Sequence, residues 1–405
     1  MKIDTGDTAW LLVSTALVLF MTPGLAFFYG GMVRRKNVLA TLMHSFSALP
    51  LVTLQWVIVG YSLCFGTSRG GIIGGLELAG LSGLAAKAHG TVPELSFCAF
   101  QMMFAVITPA LIAGAFAERM KFSAYALFVL LWSTLVYDPV AHWVWAEKGW
   151  LAQMGALDFA GGTVVHLAAG ISALVCAVVL GKRTGYPHER HVPHNLTMTL
   201  VGAGILWFGW FGFNAGSALG SNGLAALALI DTHIAAGAGA AAWLVVEWAQ
   251  RGKPTALGVA SGLVAGLVGI TPAAGFVAPW AAIVIGAAAG VVCYVAVVSK
   301  EKLGYDDSLD AFGVHGVGGA LGALLTGVFA EKALNPEGGR DGVIHGHAGQ
   351  MVPQIVGVLA VGAYAAVVTL VILKILDKTV GLRVPVADER EGLDSTEHGE
   401  QGYAL

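Results

Sequence analysis

Eleven apolar stretches, each about as long as a helix must be to cross the hydrocarbon of a bilayer, divide this chain of 405 residues. They lie near 9–32, 39–65, 92–116, 122–141, 157–180, 196–218, 223–249, 255–274, 279–299, 308–330 and 351–377. Inside lipid every backbone N–H and C=O must find its partner within the protein, so such stretches fold as helices. Barrel strands would be about 10 residues long with alternating polarity, and no such pattern occurs. Composition agrees: 12% of residues are charged, about half the share of an average soluble protein. A soluble enzyme is excluded, and so is a disordered chain, which needs few apolar residues and much net charge. A net charge of −3 offers no field for nucleic acid. Cys64, Cys98, Cys176 and Cys293 sit in apolar runs without metal-type or redox spacing, and read as small buried hydrophobes. The chain is an all-α, polytopic membrane protein of one transmembrane domain, 1–377, and a polar, acidic tail, 378–405.

Orientation follows from Lys and Arg, which concentrate on the cytoplasmic side. With the N-terminus outside, the inner segments hold sixteen of them, Arg34, Arg119, Lys182, Arg190, Arg251 and Lys300 included, and the outer segments six. An even number of helices would put one basic side wrong, so eleven crossings place the tail inside. The first stretch is not a cleavable signal peptide, since Asp4 precedes it and no small-residue cleavage site follows. Trp143, Trp145 and Trp150 read most simply as an interfacial belt. Glycines spaced among small residues, as in 258–269 and 313–327, suit close helix packing in lipid.

Ionisable groups at membrane depth are costly and therefore informative. His166 falls about nine residues into the fifth stretch and His315 about seven into the tenth. At 1.5 Å per residue each lies roughly 10–14 Å from its own face, so the two could meet near the midplane. Each follows an aspartate and a glycine-rich step, Asp158 and Asp310. Similar segments of opposite polarity five helices apart suggest an inverted repeat, 1–5 against 6–10. Two unrelated structural histidines, or a bis-histidine haem site, are the competing readings. Asp158 and Asp310 are read as structural acids capping exposed N–H groups, with Asp158 also shaping an outer vestibule; proton relays or ion ligands are the alternative. His44, Asp231 and His233 are expected to serve packing or hydrogen bonding. His142, His188, His191, His194, His345 and His347 fall in predicted loops and are expected to be solvated.

The chain closely resembles the ammonium transporter family, the Amt/Mep/Rh proteins, and its bacterial Amt branch in particular. The blocks that carry the resemblance span nearly the whole chain: Pro23 to Asn37, Asp158 to His166 with Gly181-Lys182-Arg183, Trp210 to Ser217, Gly269 to Gly275, Phe312 to Gly318, and the tail block Gly381 to Asp394. The resemblance implies an eleven-helix bundle assembled as a homotrimer in the inner membrane, with one ammonia channel per subunit and neither enzymatic activity nor cofactor. It implies that His166 and His315 line the pore, that Phe104 and Phe213 close its outer mouth, and that Phe104, Trp145 and Ser217 recruit ammonium. Asp158 matches a vestibule residue, and Trp210 and Thr271 match residues around the path. Asp231 departs from relatives, which often carry Asn. The Rh branch lacks the acidic-arginine tail block formed here by Arg383, Glu389, Arg390, Glu391, Gly392, Leu393 and Asp394. That block implies regulation by a cytoplasmic PII-type, GlnK-like protein.

The residue chemistry stands on its own beside this. Aromatic faces attract a compact cation by about 0.5–2 kcal/mol, and a serine hydroxyl accepts an ammonium N–H. Moving that cation into hydrocarbon-like surroundings costs on the order of 20 kcal/mol in the Born limit. Giving up the proton is cheaper, so the expectation is ammonia conduction past two imidazoles, with or without the proton. Methylammonium could share the path. An ammonium sensor of the same fold is the other reading; no kinase or other signalling domain follows residue 405, which favours transport.

Overall fold

The computed structural model describes residues 2–189 and 191–403. Arg190 and the last two residues of the tail, Ala404 and Leu405, lie outside the described residues, as does Met1. The helices are α1 Thr5–Met32, α2 Arg35–Phe65, α3 Glu94–Phe116, α4 122–145, α5 Gly162–Leu180, α6 Leu196–Gly216, α7 Gly223–Arg251, α8 Ala256–Ile270, α9 Pro279–Leu303, α10 Phe312–Phe329 and α11 Ala348–Thr379. Two short tail helices follow, α12 Val386–Glu391 and α13 Leu393–His398. Sheet is confined to four two-residue strands among the described residues, in the α2–α3 connection.

Ten of the eleven are long and apolar enough to span a membrane, and α8, with 15 residues, is shorter. The eighth stretch was expected to run to 274. Pro272 stops it, and Thr271 turns its hydroxyl back to the Leu267 carbonyl (2.7 Å). Residues 271–277 continue as buried turns, the one setting in which irregular backbone is tolerated at membrane depth.

The N-terminus of α1 lies at one end of the bundle, where the Thr91 hydroxyl and the Ser221 N–H both donate to Asp7 (2.6 and 2.8 Å). The tail lies at the other, against the connections around Asn37, Lys121 and Thr184. Opposite ends for the two termini are what an odd number of crossings requires. The basic residues mark the tail end as inner.

The two halves meet as an inverted repeat would: α1 packs along α6, and the starts of α5 and α10 cross near the centre. Both starts are π-helical turns, Gly162–Leu167 and Phe312–Gly316, a distortion frequent at functional sites. Their backbones touch. A Cβ at Gly170 would fall 2.0 Å from the Gly316 nitrogen, and one at Gly319 2.6 Å from the Gly162 carbonyl. Glycine at both positions lets each turn press its histidine toward the other.

Several loop expectations fail for one reason: connections at both ends are folded onto the bundle. His142 is fully buried on α4, its Nδ1 2.7 Å from the Cys64 carbonyl and its Nε2 2.8 Å from Ser68 Oγ. Trp143 is buried against Tyr364 and donates to the Ile72 carbonyl (2.7 Å), so it is a packing residue and not part of an exposed belt. His194 is half-buried between the Val33 carbonyl (2.9 Å) and the Tyr403 hydroxyl (3.0 Å). His188, His345 and His347 are exposed as expected, and all four cysteines are buried.

Candidate functional site

A line of side chains runs from the outer end to the centre. It starts in a pocket of about 150 Å³ lined by Phe104, Trp145 and Ser217, together with His89, Phe97 and Gln101. The last turn of α4 brings Trp145 there, and its indole N–H donates to the Asp158 carbonyl (3.0 Å), which fixes the ring edge-on to Phe104 (5.9 Å between centroids). Ser217 donates its proton to the Phe213 carbonyl (2.8 Å), so its free lone pairs are left to accept.

Below the pocket Phe104 and Phe213 stack at 4.1 Å, and both are buried. Beyond this pair lies a slender cavity of about 10 Å³, where a single water needs about 10–15 Å³. Leu25, Ile107, Leu111, Leu206 and Val264 share its wall with His166, Trp210, Phe213 and His315. No hydrated ion fits such a space.

His166 and His315 approach with Nδ1 atoms 3.3 Å apart and nearly parallel rings. One of these nitrogens must carry the shared proton and the other accept it. The outer nitrogens are then complementary as well, one bare and one protonated. His166 Nε2 has no hydrogen-bond partner among the described residues. The separation is a hydrogen-bond length, too short for an iron and porphyrin plane between the rings, so the geometry opposes the haem reading. Trp210 stacks on His166 (5.3 Å) and donates to Thr271 Oγ1 (2.9 Å), which ties the end of α8 to the histidine pair.

The two aspartates part company. Asp158 caps α5: its carboxylate accepts from the N–H groups of Gly161, Gly162, Thr163 and Val164 and from the Thr163 hydroxyl. Capping at the start of α10 falls instead to Asp307, which accepts from Ala311 and Phe312 (3.0 and 2.8 Å). Asp310 stands at φ 64° and pairs with Lys300, so it is structural but not the cap. Three acids in five residues hid the assignment, because the cap depends on where the left-handed residue turns the chain.

A model of the Ammonium Transporter Family matches residues 9–403. The chain belongs to that family. It is 52% identical to the ammonium transporter of Bacillus subtilis (strain 168), over 98% of each chain, and 53% identical to that of Aquifex aeolicus (strain VF5), over 100% of this chain and 95% of the other. Among solved structures, Saccharomyces cerevisiae Mep2 superposes with a TM-score of 0.90 at 38% identity, covering 95% of this chain and 88% of that one. A structure titled Sensor Amt Protein superposes equally well at 30% identity, covering 97% and 98%. Membership makes this ammonium transporter a multi-pass membrane protein and not an enzyme.

At its inner end the transporter carries a buried ionic network that sequence reasoning missed. Arg183 donates to Asp306 through its backbone N–H, Nε and Nη2 (2.8, 2.9 and 2.8 Å), and to Glu118 through Nη1 (3.3 Å). Glu118 also accepts from Arg34 and from Asn37 Nδ2 (2.9 Å). Burial raises the Asp306 carboxyl, but the hydrogen bonds and charge of Arg183 outweigh it and hold it at about 2. Glu118 is likewise driven up by burial and brought below the usual carboxylate range by Arg183 and Arg34. The sequence shows these residues only as charges in loops.

The tail closes over this network. Val384 N–H donates to the Arg119 carbonyl (3.1 Å), and Arg383 bonds Glu389 (2.7 Å) and the Leu180 carbonyl (3.0 Å). Glu389 accepts from the Thr184 N–H (2.6 Å), Leu393 N–H donates to Asn37 Oδ1 (2.8 Å), and Asp394 accepts from the Ala40 N–H (2.9 Å). Lys36 Nζ donates to the Glu389 carbonyl (3.2 Å) and to that of Arg390. Glu391 and Arg390 point outward, and Gly392 stands at φ 126° against Lys36, where a Cβ would clash.

Elsewhere Asp231 is buried with both carboxylate oxygens unpartnered among the described residues, while His233 is exposed and stacked on Trp207. His44 packs between Tyr125 and Phe116.

Proposed function

We propose that Phe104, Trp145 and Ser217 take up ammonium, that the proton is lost as the molecule passes the Phe104–Phe213 pair, and that ammonia crosses the apolar cavity past His166 and His315. The single observation that supports this best is the succession itself: a polar-aromatic pocket, a stacked ring pair and a slender, mostly apolar cavity whose polar contribution is two linked imidazoles. Aromatic attraction of about 0.5–2 kcal/mol gathers the cation but cannot offset a desolvation penalty of several kcal/mol. Ammonia needs only one donor and one acceptor at a time, which the pair's outer nitrogens supply.

Replacing Trp145 by Leu removes one aromatic face and leaves the pore apolar. Half-saturation for ammonium uptake into proteoliposomes is expected to rise about two- to thirty-fold, the factor that 0.5–2 kcal/mol implies, with much of the maximal flux retained. An unchanged concentration dependence would make Trp145 a packing residue only.

The proposal extends to the assembly and the tail: a homotrimer, with residues 381–394 forming the surface that a PII-type protein reads. Supporting the tail reading are its many bonds to the connections around Asn37, Arg119 and Thr184, which make it a built part of the inner face. Deleting 381–405 is expected to weaken binding of a PII-type protein in a pull-down; unaltered affinity counts against it. The likeness to the Sensor Amt Protein favours sensing as a second reading, which saturable ammonium flux across liposomes would set aside.

A further inference from the structure

A second lobe adjoins the outer pocket, and of its wall the proposed path uses only Trp145. It has about 390 Å³ and shares His89 and Trp145 with the first. Glu94, the first residue of α3, lines it. The buried Tyr61 hydroxyl donates to Glu94 Oε1 and so fixes the carboxylate. Among the described residues Oε2 makes no hydrogen bond, and it faces His89 Nδ1 across 3.8 Å. The His89 ring is clamped in turn, stacked on Phe97 at 3.7 Å with 4° between planes. Burial holds the His89 pKa below its ordinary value, against the pull of Glu94, so at neutral pH the ring is uncharged.

We propose that Glu94 Oε2 and His89 Nδ1 form an outer ammonium station that passes its cation to the Trp145 pocket. A gap of 3.8 Å is one that ammonium can bridge with two N–H bonds of about 2.9 Å. Both atoms are acceptors, one of them anionic, and both are held from behind by Tyr61 and Phe97. Potassium would find the same charge but could not use two directed N–H bonds. Glu147, Lys148 and His142 also border the lobe; the first two are exposed and largely offset each other, and His142 is occupied by Cys64 and Ser68. Glu94 is therefore the carboxylate that a cation entering here meets in a fixed position.

This inference rests on the Trp145 pocket being the uptake site, and the test separates the two. Ammonium uptake is measured in proteoliposomes with wild type, Glu94→Gln, His89→Phe and Trp145→Leu, at low ionic strength and with added choline chloride. The wild-type half-saturation should climb with salt, because the attraction of a carboxylate lining a solvent-filled lobe is partly screened. Glu94→Gln should start about three- to ten-fold higher and stay nearly flat with salt. His89→Phe keeps an aromatic ring over Phe97 and the charge of Glu94 but loses the second acceptor, so it should be raised and still salt-dependent. If Glu94→Gln assembles poorly, His89→Phe carries the test alone. Wild-type values and salt slopes in both variants, with Trp145→Leu shifted, would overturn the station and leave the pocket standing. No shift in any of the three would overturn the pocket as well.

Discussion

Arg183→Ala is expected to cost about 3–5 kcal/mol of stability, the usual penalty for leaving a buried carboxylate without its cation. Asp306 is left without a cation and Glu118 keeps only Arg34, and both are enclosed at the inner face. Arg183→Lys should recover little, since one ammonium cannot reproduce the planar fork that reaches Asp306 through Nε and Nη2. The acid dependence gives an independent check. Asp306 is held at about 2, below its ordinary value of about 3.9, so its stabilising contribution is complete above pH 4 and lost as pH falls from about 4 toward 2. Melting midpoints of the purified protein should therefore fall through that window in wild type and fall less in Arg183→Ala. The tail should loosen as well, because Asn37 is shared between Glu118 and Leu393. Proteolysis of the tail at an unchanged rate would show that the network and the tail are independent.

His166→Asp or His315→Glu is expected to let potassium through. Aromatic rings attract potassium nearly as well as ammonium, so the outer pocket alone cannot reject it. What potassium cannot do is shed a proton. Its barrier is dehydration in the narrow cavity beyond the Phe104–Phe213 pair, several kcal/mol even after relaxation. A carboxylate placed beside that cavity offsets the lost hydration. If the histidines merely pack the bundle, these variants misfold or keep their selectivity. Potassium flux into liposomes holding correctly assembled protein distinguishes the outcomes, and variants that stay tight to potassium while carrying ammonium normally would remove the pair from the selectivity account.

The path along the membrane was the more legible part of the sequence, because lipid leaves a chain few options. Span lengths, the odd helix count and the depth of His166 and His315 all follow from a ruler of 1.5 Å per residue, and the structure brings the two rings to hydrogen-bond distance. The pocket of Phe104, Trp145 and Ser217 came from family resemblance, since residues from α3, α4 and the end of α6 share no local pattern. What stayed hidden was set by tertiary contact. His142 looked like a loop residue because α4 extends past the expected end at 141, and Asp307 looked no better a cap than Asp310. Arg183, Glu118 and Asp306 are charges in connections until folding joins them. Residues of the outer lobe such as His89 and Glu94 lie in or beside a short strand pair that no periodicity announces.

Wild-type protein in liposomes, given matched inward gradients of ammonium and of potassium, puts the central claim to its most direct test. If uptake depends on losing a proton before a dry cavity, internal ammonium should rise with saturating dependence on concentration, while internal potassium stays at the level of protein-free vesicles. Potassium entering at a rate comparable with ammonium would contradict the account, because it would show that an intact cation crosses between Phe213 and the histidine pair.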